Sequence, residues 1–200
     1  MSWSWLDDRP LVVAIAGPNG AGKTTFYHAH VAPAGLRLVN ADRLANELQL
    51  EPYEAARVAD RLRRALVGQR ESLAFETVFS DPVGDKLQFL ESCAAAGYTT
   101  VLLFVGLSSA NLAAQRFAMR VSQGGHDVPA DKILGRYPRT LANLKAAITR
   151  LPHVVVYDNS NLSTPYRQLA VFESGAAVEL AKPTPKWLRN VLRGGRRKRG

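Results

Sequence analysis

The residues with the clearest chemical potential form the stretch GPNGAGKTTF, which runs from Gly17 to Phe26. A glycine, then four unspecified positions, then Gly-Lys-Thr is the spacing of a P-loop, whose backbone N–H groups surround phosphate oxygens at the start of a helix. The preceding run LVVAIA is typical of a buried parallel strand, and a helix is predicted to begin near Gly22, which is the context this motif requires. The predicted nucleotide site comprises Gly17, Pro18, Asn19, Gly20, Ala21, Gly22, Lys23, Thr24 and Thr25.

Two side chains of this motif have separate predicted roles. Lys23 is predicted to reach the β- and γ-phosphates, and the hydroxyl of Thr24 is predicted to bind Mg²⁺. The glycines allow the loop backbone to curl, so that its N–H groups point at phosphate oxygens. The motif leaves open whether the phosphate drives a motion, passes to water or passes to another molecule.

Two carboxylates follow predicted strands and therefore belong at the same edge of the sheet as the P-loop. Asp42 lies two residues after the strand LRLVN, and Glu76 ends the strand LAFE. Ligands bind at the carboxyl ends of strands in sheets of this type. We predict that Asp42 is the base that accepts a proton from an attacking hydroxyl, and that Glu76 contacts substrate or metal. The alternative for Asp42 is an N-cap of the following helix, whereas Glu76 in an apolar run needs a partner or a ligand.

The formal net charge is +9, and one internal segment is especially poor in acids. Residues 98–157 contain seven basic residues and two acids, which indicates an anionic ligand. The arginines of interest on two successive predicted helices are Arg116, Arg120, Arg136 and Arg139. The pair Gly124-Gly125 lies between the helices, so we predict a helical lid that closes on phosphates. A solvated basic face is the alternative. Pro138 is expected to kink or interrupt the second helix.

The remaining chain alternates predicted strands and helices, which indicates an α/β fold with a mostly parallel sheet and helices on both faces. We assign residues 1–182 to a single domain with its lid at 108–148, and 183–200 to a solvated basic C-terminal tail that could contact nucleic acid. The chain has one cysteine, no apolar run of membrane-spanning length, and acids where a signal peptide has positive charge. We therefore expect a cytoplasmic protein without membrane contact.

Taken together, these stretches resemble the zeta toxin family of P-loop kinases, and especially its small single-domain members. The resembling segments are GPNGAGKTTF, VNADRLA, FETVFS, AGYTTVLLFVGL, RVSQGGHDVP with ILGRYPRTLANL, and VYDNS. The resemblance implies a P-loop nucleoside-triphosphate hydrolase fold of the nucleotide-kinase type, with a helical lid. It also implies transfer of the γ-phosphate of ATP, with Mg²⁺, to an alcohol group of a small molecule. UDP-N-acetylglucosamine is the acceptor that the family implies, and an antitoxin is the implied protein partner.

The resemblance also implies roles for individual residues. The implied catalytic residues are Lys23, Asp42, Arg120 and Arg136, and the implied substrate-binding residues are Asp42, Glu76, Arg116 and Arg139. The larger family members carry a polar substrate-contacting residue and an arginine shortly after the glutamate, where this chain has Val78 and Ser80. The identity of the acceptor is therefore open.

Two functions of other classes are also open. One is a P-loop ATPase that acts on or with nucleic acid through the basic tail, and the other is a nucleotide-binding regulatory module without turnover. A motor ATPase usually has an apolar strand that ends in aspartate, whereas the strand VLLFV is followed by Gly106. The clustered carboxylates and arginines favour the kinase.

Overall fold

One mixed sheet forms the centre of the protein, whose computed structural model describes residues 3–121 and 129–193. Its strands are β1 (Leu11–Ala16), β2 (Arg37–Val39), β3 (Leu73–Thr77), β4 (Thr99–Gly106), β5 (His153–Asp158), β6 (Arg167–Glu173) and β7 (Ala176–Leu180). Across the sheet their order is β2-β3-β1-β4-β5-β6-β7. The first five strands are parallel, and β6 and β7 pair antiparallel with their neighbours. The predicted mostly parallel sheet is confirmed, and β7 is an addition to it.

Helices cover both faces of this sheet. They are α1 (Lys23–Phe26), α2 (Ala41–Leu48), α3 (Pro52–Gly68), α4 (Asp85–Ala95), α5 (Ala110–Val121), α6 (Ala130–Arg150) and α7 (Lys186–Arg193), with short helical turns at Ser4–Asp7, Tyr27–Val31 and Ala32–Ala34. One apolar core packs α3, α4 and α7 against one face, and a second packs α1 and α5 against the other. Alternate residues of β1 enter the two cores, which explains why that strand is a continuous apolar run with no exposed position.

The strand order places the carboxyl end of β1 at a switch point. From β1 the chain moves to β2 and β3 on one side, and it then returns to β4 on the other side. Adjacent connections leave the sheet in opposite directions at such a point, which opens a crevice above the strand ends. The residue that follows β1 is Gly17, so the P-loop begins in this crevice.

Helix α7 corrects our expectation that residues 183–200 form a solvated tail. Trp187, Leu188 and Val191 are buried in the core although the segment is rich in basic residues. The Trp187 ring fills the space beside Gly106, where an added Cβ would lie 2.3 Å from the ring. The three apolar residues share one face of the helix, so the basic residues between them do not prevent its packing. Residues 194–200 lie outside the described residues.

Helix α6 continues through Pro138, which corrects the expectation that this proline interrupts it, and the alternative expectation of a kink stays a prediction. The helix runs for 21 residues with Pro138 inside it. Its two halves are held by packing, since Ile133 before the proline and Leu144 after it are both buried. The hydroxyl of Thr140 also donates a hydrogen bond of 3.2 Å to the carbonyl oxygen of Arg136, one turn earlier in the same helix. The predicted hinge Gly124-Gly125 lies outside the described residues.

Candidate active site

The backbone of the P-loop needs glycine at positions where other parts of the protein approach closely. Gly17 has φ +146°, and a Cβ there would lie 2.1 Å from the carbonyl oxygen of Val105 on β4. Gly22 has φ +82°, and a Cβ there would lie 2.7 Å from the hydroxyl oxygen of Tyr166. These contacts hold the loop between β1, β4 and the segment before β6, so its shape is fixed by the surrounding fold.

The segment that follows β5 braces the P-loop from behind. Asn159 is 5% exposed, and its Nδ2 donates a hydrogen bond of 2.9 Å to the carbonyl oxygen of Ala21. The hydroxyl of Tyr166 donates one of 3.0 Å to the carbonyl oxygen of Gly22. Arg116 on α5 donates to the backbone carbonyls of both Asn159 and Ser160, at 3.0 Å for the second. No role in the site was predicted for Asn159, which was expected only to close a turn, or for Tyr166, because these contacts join residues more than 100 positions apart.

Lys23 lies at the mouth of the loop. Its Nζ donates to the carbonyl oxygens of Gly17 at 3.0 Å and Pro18 at 3.1 Å. Burial lowers the pKa of the Lys23 ammonium, and the nearby carboxylates of Glu76 and Asp42 oppose that shift. A phosphate group beside this ammonium would favour its charged form further. The lysine is therefore arranged for an anionic ligand.

Thr24 and Glu76 form the part of the site that fits a magnesium ion. The Thr24 hydroxyl donates a hydrogen bond of 3.0 Å to Oε2 of Glu76. The other carboxylate oxygen, Oε1, is buried without a hydrogen-bond partner among the described residues. Within those residues there is also no cluster of three or more His, Cys, Asp or Glu side chains that could hold a metal. Hydroxyl and carboxylate oxygens suit Mg²⁺, which usually takes its other ligands from phosphate and water.

Asp42 lies in the first turn of α2, and it does not cap that helix. The N-cap is Asn40, whose Oδ1 accepts a hydrogen bond of 3.1 Å from the backbone N–H of Arg43. The capping alternative for Asp42 is therefore wrong. Its side chain is exposed, and it lines the same cavity as Lys23.

One cavity of about 390 Å³ joins the predicted site residues. Its lining includes Asn19, Gly20, Gly22, Lys23, Thr24 and Thr25 of the P-loop, together with Asp42, Glu76, Arg116 and Arg120. Arg120 also packs over the ring of Phe117, with 4.8 Å from Cζ to the ring centroid. Residues from the P-loop after β1, from β3, α2 and α5 thus meet at one edge of the sheet, as the positions of the strand ends predict.

Two predicted lid arginines lie outside the lining of this cavity. Arg136 is not part of it, and Arg139 donates from Nε to the carbonyl oxygen of Ser80 at 3.0 Å. Asn143 binds the same segment, with Nδ2 3.0 Å from the carbonyl oxygen of Phe79. In this arrangement α6 fixes the loop that follows β3, and hence the backbone next to Glu76.

Two basic residues of the cavity were missed by sequence analysis. Arg63 on α3 and Lys86 on α4 both line it. The signal for Arg63 is its position on the buried stripe of α3, where Ala55, Ala59 and Leu66 are its buried neighbours. An arginine on such a stripe needs a partner or a ligand.

The fold and this cavity define the class of the protein as a P-loop kinase-like protein. The family model described as "Zeta toxin" matches residues 37–169, about two thirds of the chain, and the protein therefore belongs to the zeta toxin family. Membership implies ATP with Mg²⁺ as the cofactor pair. The matched segment begins after the P-loop, so the match is independent of that generic motif. The comparison with curated protein sequences found no match.

Solved structures share this fold at low sequence identity. The AvrRxo1-ORF1:ORF2 structure with ATP has a TM-score of 0.69 and 14% identity, over 98% of this chain and 68% of that chain. The structure of the PezAT toxin–antitoxin system of Streptococcus pneumoniae has a TM-score of 0.60 and 13% identity, over 90% of this chain and 76% of that chain. The Pnkp1/Rnl/Hen1 RNA repair complex has a TM-score of 0.54 and 17% identity, over 69% of this chain and 46% of that chain. In the described part of this chain, none of the helices has the length and apolarity to cross a membrane.

Proposed function

We propose that the protein is a kinase that transfers the γ-phosphate of ATP, with Mg²⁺, to an alcohol group of a small molecule. The observation that supports this most directly is the cavity in which Lys23 and Thr24 of the P-loop lie together with the carboxylates of Asp42 and Glu76. A nucleotide site alone requires only the first two residues. The added carboxylates supply a proton acceptor and a substrate or metal contact, which phosphoryl transfer needs.

The nucleotide half of the site consists of the P-loop from Gly17 to Thr25. Its backbone N–H groups and Lys23 would bind the phosphates of ATP, and Mg²⁺ held by the Thr24 hydroxyl would neutralise their charge. Asn159 and Tyr166 keep the loop in shape through their hydrogen bonds to its carbonyl oxygens. This preorganisation lowers the cost of arranging donors around the transferred group.

Asp42 is the proposed general base. Its exposed carboxylate accepts the proton of the acceptor hydroxyl while the hydroxyl oxygen forms a bond to the γ-phosphorus. The bond from that phosphorus to the bridging oxygen of ADP breaks, and ADP leaves with the electron pair. Glu76 orients Thr24 and contacts the acceptor or the metal.

The arginines are proposed to stabilise the charge on the phosphoryl group in transit. Arg116 and Arg120 lie in the cavity wall, and Arg116 is additionally anchored to the backbone after β5. Arg136 and Arg139 are proposed to join them when the hairpin of α5 and α6 closes over bound nucleotide. Closure of this kind excludes water, which otherwise accepts the phosphate.

UDP-N-acetylglucosamine is the acceptor that we propose to test first, because the family suggests it. Val78 and Ser80 replace the two polar positions noted above, so related UDP-sugars belong in the same test. An antitoxin is a proposed protein partner, since a neighbour of similar fold belongs to a toxin–antitoxin system.

Mass spectrometry of the reaction products tests this function. The protein is incubated with ATP, Mg²⁺ and a panel of UDP-sugars and nucleosides, and Lys23→Ala is the control. We expect one acceptor to gain the mass of one phosphate with the wild-type protein. The same mass gain should be absent with Lys23→Ala. If ADP forms and no acceptor gains a phosphate, the phosphate passes to water or to another target, and the assignment to these acceptors is withdrawn in favour of tests with nucleic acid.

A further inference from the structure

A second basic group faces the cavity away from the P-loop. Arg63 in the middle of α3 and Lys86 in the first turn of α4 both line the cavity that contains Asp42 and Glu76. Neither residue belongs to the P-loop or to the predicted lid. We call these two residues the α3–α4 cation pair.

Arg63 is buried to a degree that is unusual for arginine, with 4% of its surface exposed. Its Nη2 donates a hydrogen bond of 2.8 Å to Oδ1 of Asp60. Its guanidinium lies over the ring of Phe75, with 4.9 Å from Cζ to the centroid. Its Nε is buried without a hydrogen-bond partner among the described residues. A buried donor without a partner is costly, so the hydrogen-bonding capacity of this guanidinium is not fully used by the described residues.

The carboxylates around the cation pair do not neutralise it fully. Asp60 is shared by Arg63, by Arg64 at 3.0 Å and by Lys86 at 3.3 Å. Asp85 contacts Lys86 at 2.9 Å and Arg64 at 3.9 Å. Three cations thus meet two carboxylates, and two of the three cations line the cavity. The local excess of positive charge faces the space beside Asp42.

We propose that Arg63 and Lys86 bind an oxyanion, a carboxylate or a phosphate, that belongs to the acceptor molecule. This proposal rests on the proposed kinase function, and it specifies the acceptor as an anionic alcohol. The planar guanidinium suits bidentate binding of a carboxylate or phosphate, and the ammonium adds a point charge. Because the oxyanion is fixed on the α3–α4 side, the acceptor hydroxyl is directed toward Asp42. The cation pair thereby positions the acceptor and rejects neutral alcohols.

A binding measurement tests the cation pair independently of turnover. The P-loop is first saturated with a non-hydrolysable ATP analogue and Mg²⁺, and inorganic phosphate is then titrated while Tm is measured. We expect Tm to rise with phosphate in the wild type, and to rise much less in Lys86→Gln and Arg63→Met. The matched control is Arg64→Gln, which removes a cation from the same Asp60 but does not line the cavity. An equal rise in the wild type and Lys86→Gln would overturn the proposal.

A kinetic measurement tests the acceptor class. Matched acceptors are glucose, gluconate and glucose 1-phosphate, together with N-acetylglucosamine, its 1-phosphate and its UDP conjugate, and the rate of ADP formation is measured. In the glucose series or the N-acetylglucosamine series, we expect transfer to the anionic compounds and not to the neutral sugar. In Lys86→Gln the KM for the anionic acceptor should rise about 10-fold or more, while the KM for ATP should change less than about 2-fold. Arg63→Lys should recover part of the loss seen in Arg63→Met. Preference for the carboxylate or the phosphate members identifies the oxyanion.

The two measurements separate the two proposals. Phosphate binding that depends on Lys86, without transfer to any acceptor, supports the anion site and counts against the proposed kinase function for these acceptors. Transfer to neutral and anionic alcohols with equal kcat/KM, unchanged in Lys86→Gln, supports the kinase and overturns the anion site. Arg63→Met needs a circular dichroism spectrum to show that it folds, and Lys86→Gln provides the same test at a half-buried position.

Discussion

The hydroxyl of Thr24, at the start of α1, donates a 3.0 Å hydrogen bond to Glu76, at the end of β3. These residues are 52 positions apart in the chain, and their hydrogen bond joins the P-loop to β3. The carboxylate also lies near Lys23, whose charged form it favours. One carboxylate therefore contacts the hydroxyl proposed to hold Mg²⁺ and also favours the charged form of the P-loop lysine.

We expect Glu76→Gln to slow phosphoryl transfer by about 100-fold, because it removes a carboxylate that orients the Thr24 hydroxyl. Binding of ATP without Mg²⁺ should not weaken, since the variant removes a negative charge close to the phosphates. Single-turnover ADP formation measures the first effect, and calorimetric titration measures the second. Glu71→Gln is the control, because Glu71 precedes the same strand at an exposed position outside the cavity. A wild-type rate in Glu76→Gln would contradict the role given to this residue.

Asp42 and Asn40 allow catalysis and helix capping to be separated. We expect Asp42→Asn to reduce kcat by about 100-fold or more, because the proton acceptor is lost. The same change should leave the unfolding free energy nearly unaltered, since the cap of α2 is Asn40. In contrast, Asn40→Ala should lower the unfolding free energy by about 1 kcal/mol. Steady-state kinetics measures kcat, and urea unfolding measures the unfolding free energy of both variants. If Asp42→Asn loses as much stability as Asn40→Ala, the capping alternative for Asp42 is restored.

The parts of the site that follow from local patterns were predicted from the sequence. Lys23 and Thr24 belong to a motif of fixed spacing between a strand and a helix, and Asp42 and Glu76 each follow a strand whose end must lie at one edge of the sheet. Their grouping in one cavity agrees with these expectations. The roles of these residues in catalysis stay predictions that the variants above test.

Other features depend on contacts between distant segments, which no local pattern records. Arg63 shares a helical stripe with buried residues of α3, but its contact with the Phe75 ring and its place in the cavity depend on how α3 packs. Trp187 lies in a basic segment, and its burial requires the space beside Gly106 on β4. Arg139 was assigned to the substrate, whereas its Nε contacts the carbonyl oxygen of Ser80, 59 positions earlier.

The contact between Trp187 and Gly106 allows the packing of α7 on the sheet to be tested. We expect Gly106→Ala to lower Tm strongly, because the added Cβ would lie 2.3 Å from the Trp187 ring and one of them must move. Gly135→Ala is the control of opposite sign. Gly135 lies inside α6 with no atom within 4 Å of an added Cβ, so the change should stabilise the protein by up to about 1 kcal/mol. Thermal unfolding followed by circular dichroism compares them, and a neutral Gly106→Ala would count against the packing of α7.

Removal of the Tyr166 hydroxyl tests whether this residue supports the P-loop. We expect Tyr166→Phe to cost about 1 kcal/mol of stability and to raise the KM for ATP several-fold, because the carbonyl oxygen of Gly22 keeps the backbone N–H of Phe26 but loses its second donor, the one that fixes the loop from outside. Tyr98→Phe removes a hydroxyl that donates 3.0 Å to the carbonyl oxygen of Val67, far from the nucleotide. It should cost similar stability and leave the KM for ATP unchanged. If both variants change the KM equally, the effect is one of general stability and the brace has no specific role.

Asp60 predicts how stability changes at low pH. Burial alone would raise the pKa of this carboxyl, but hydrogen bonds from Arg64 and Arg63 and the charge of Lys86 hold it at about 2, against 3.8 for an ordinary aspartate. Since the folded pKa is the lower one, the stabilisation is fully present above about pH 4 and is lost as pH falls toward about 2. The difference in pKa corresponds to about 2 kcal/mol.

We expect the gap in unfolding free energy between the wild type and Asp60→Asn, measured in urea, to be constant from pH 7 to pH 5 and to shrink by that amount between pH 4 and pH 2. A gap between the wild type and Asp60→Asn that stays constant down to pH 2 would mean that the cations around Asp60 do not stabilise its charge, and the excess of positive charge inferred for the α3–α4 cation pair would then have to be reassessed.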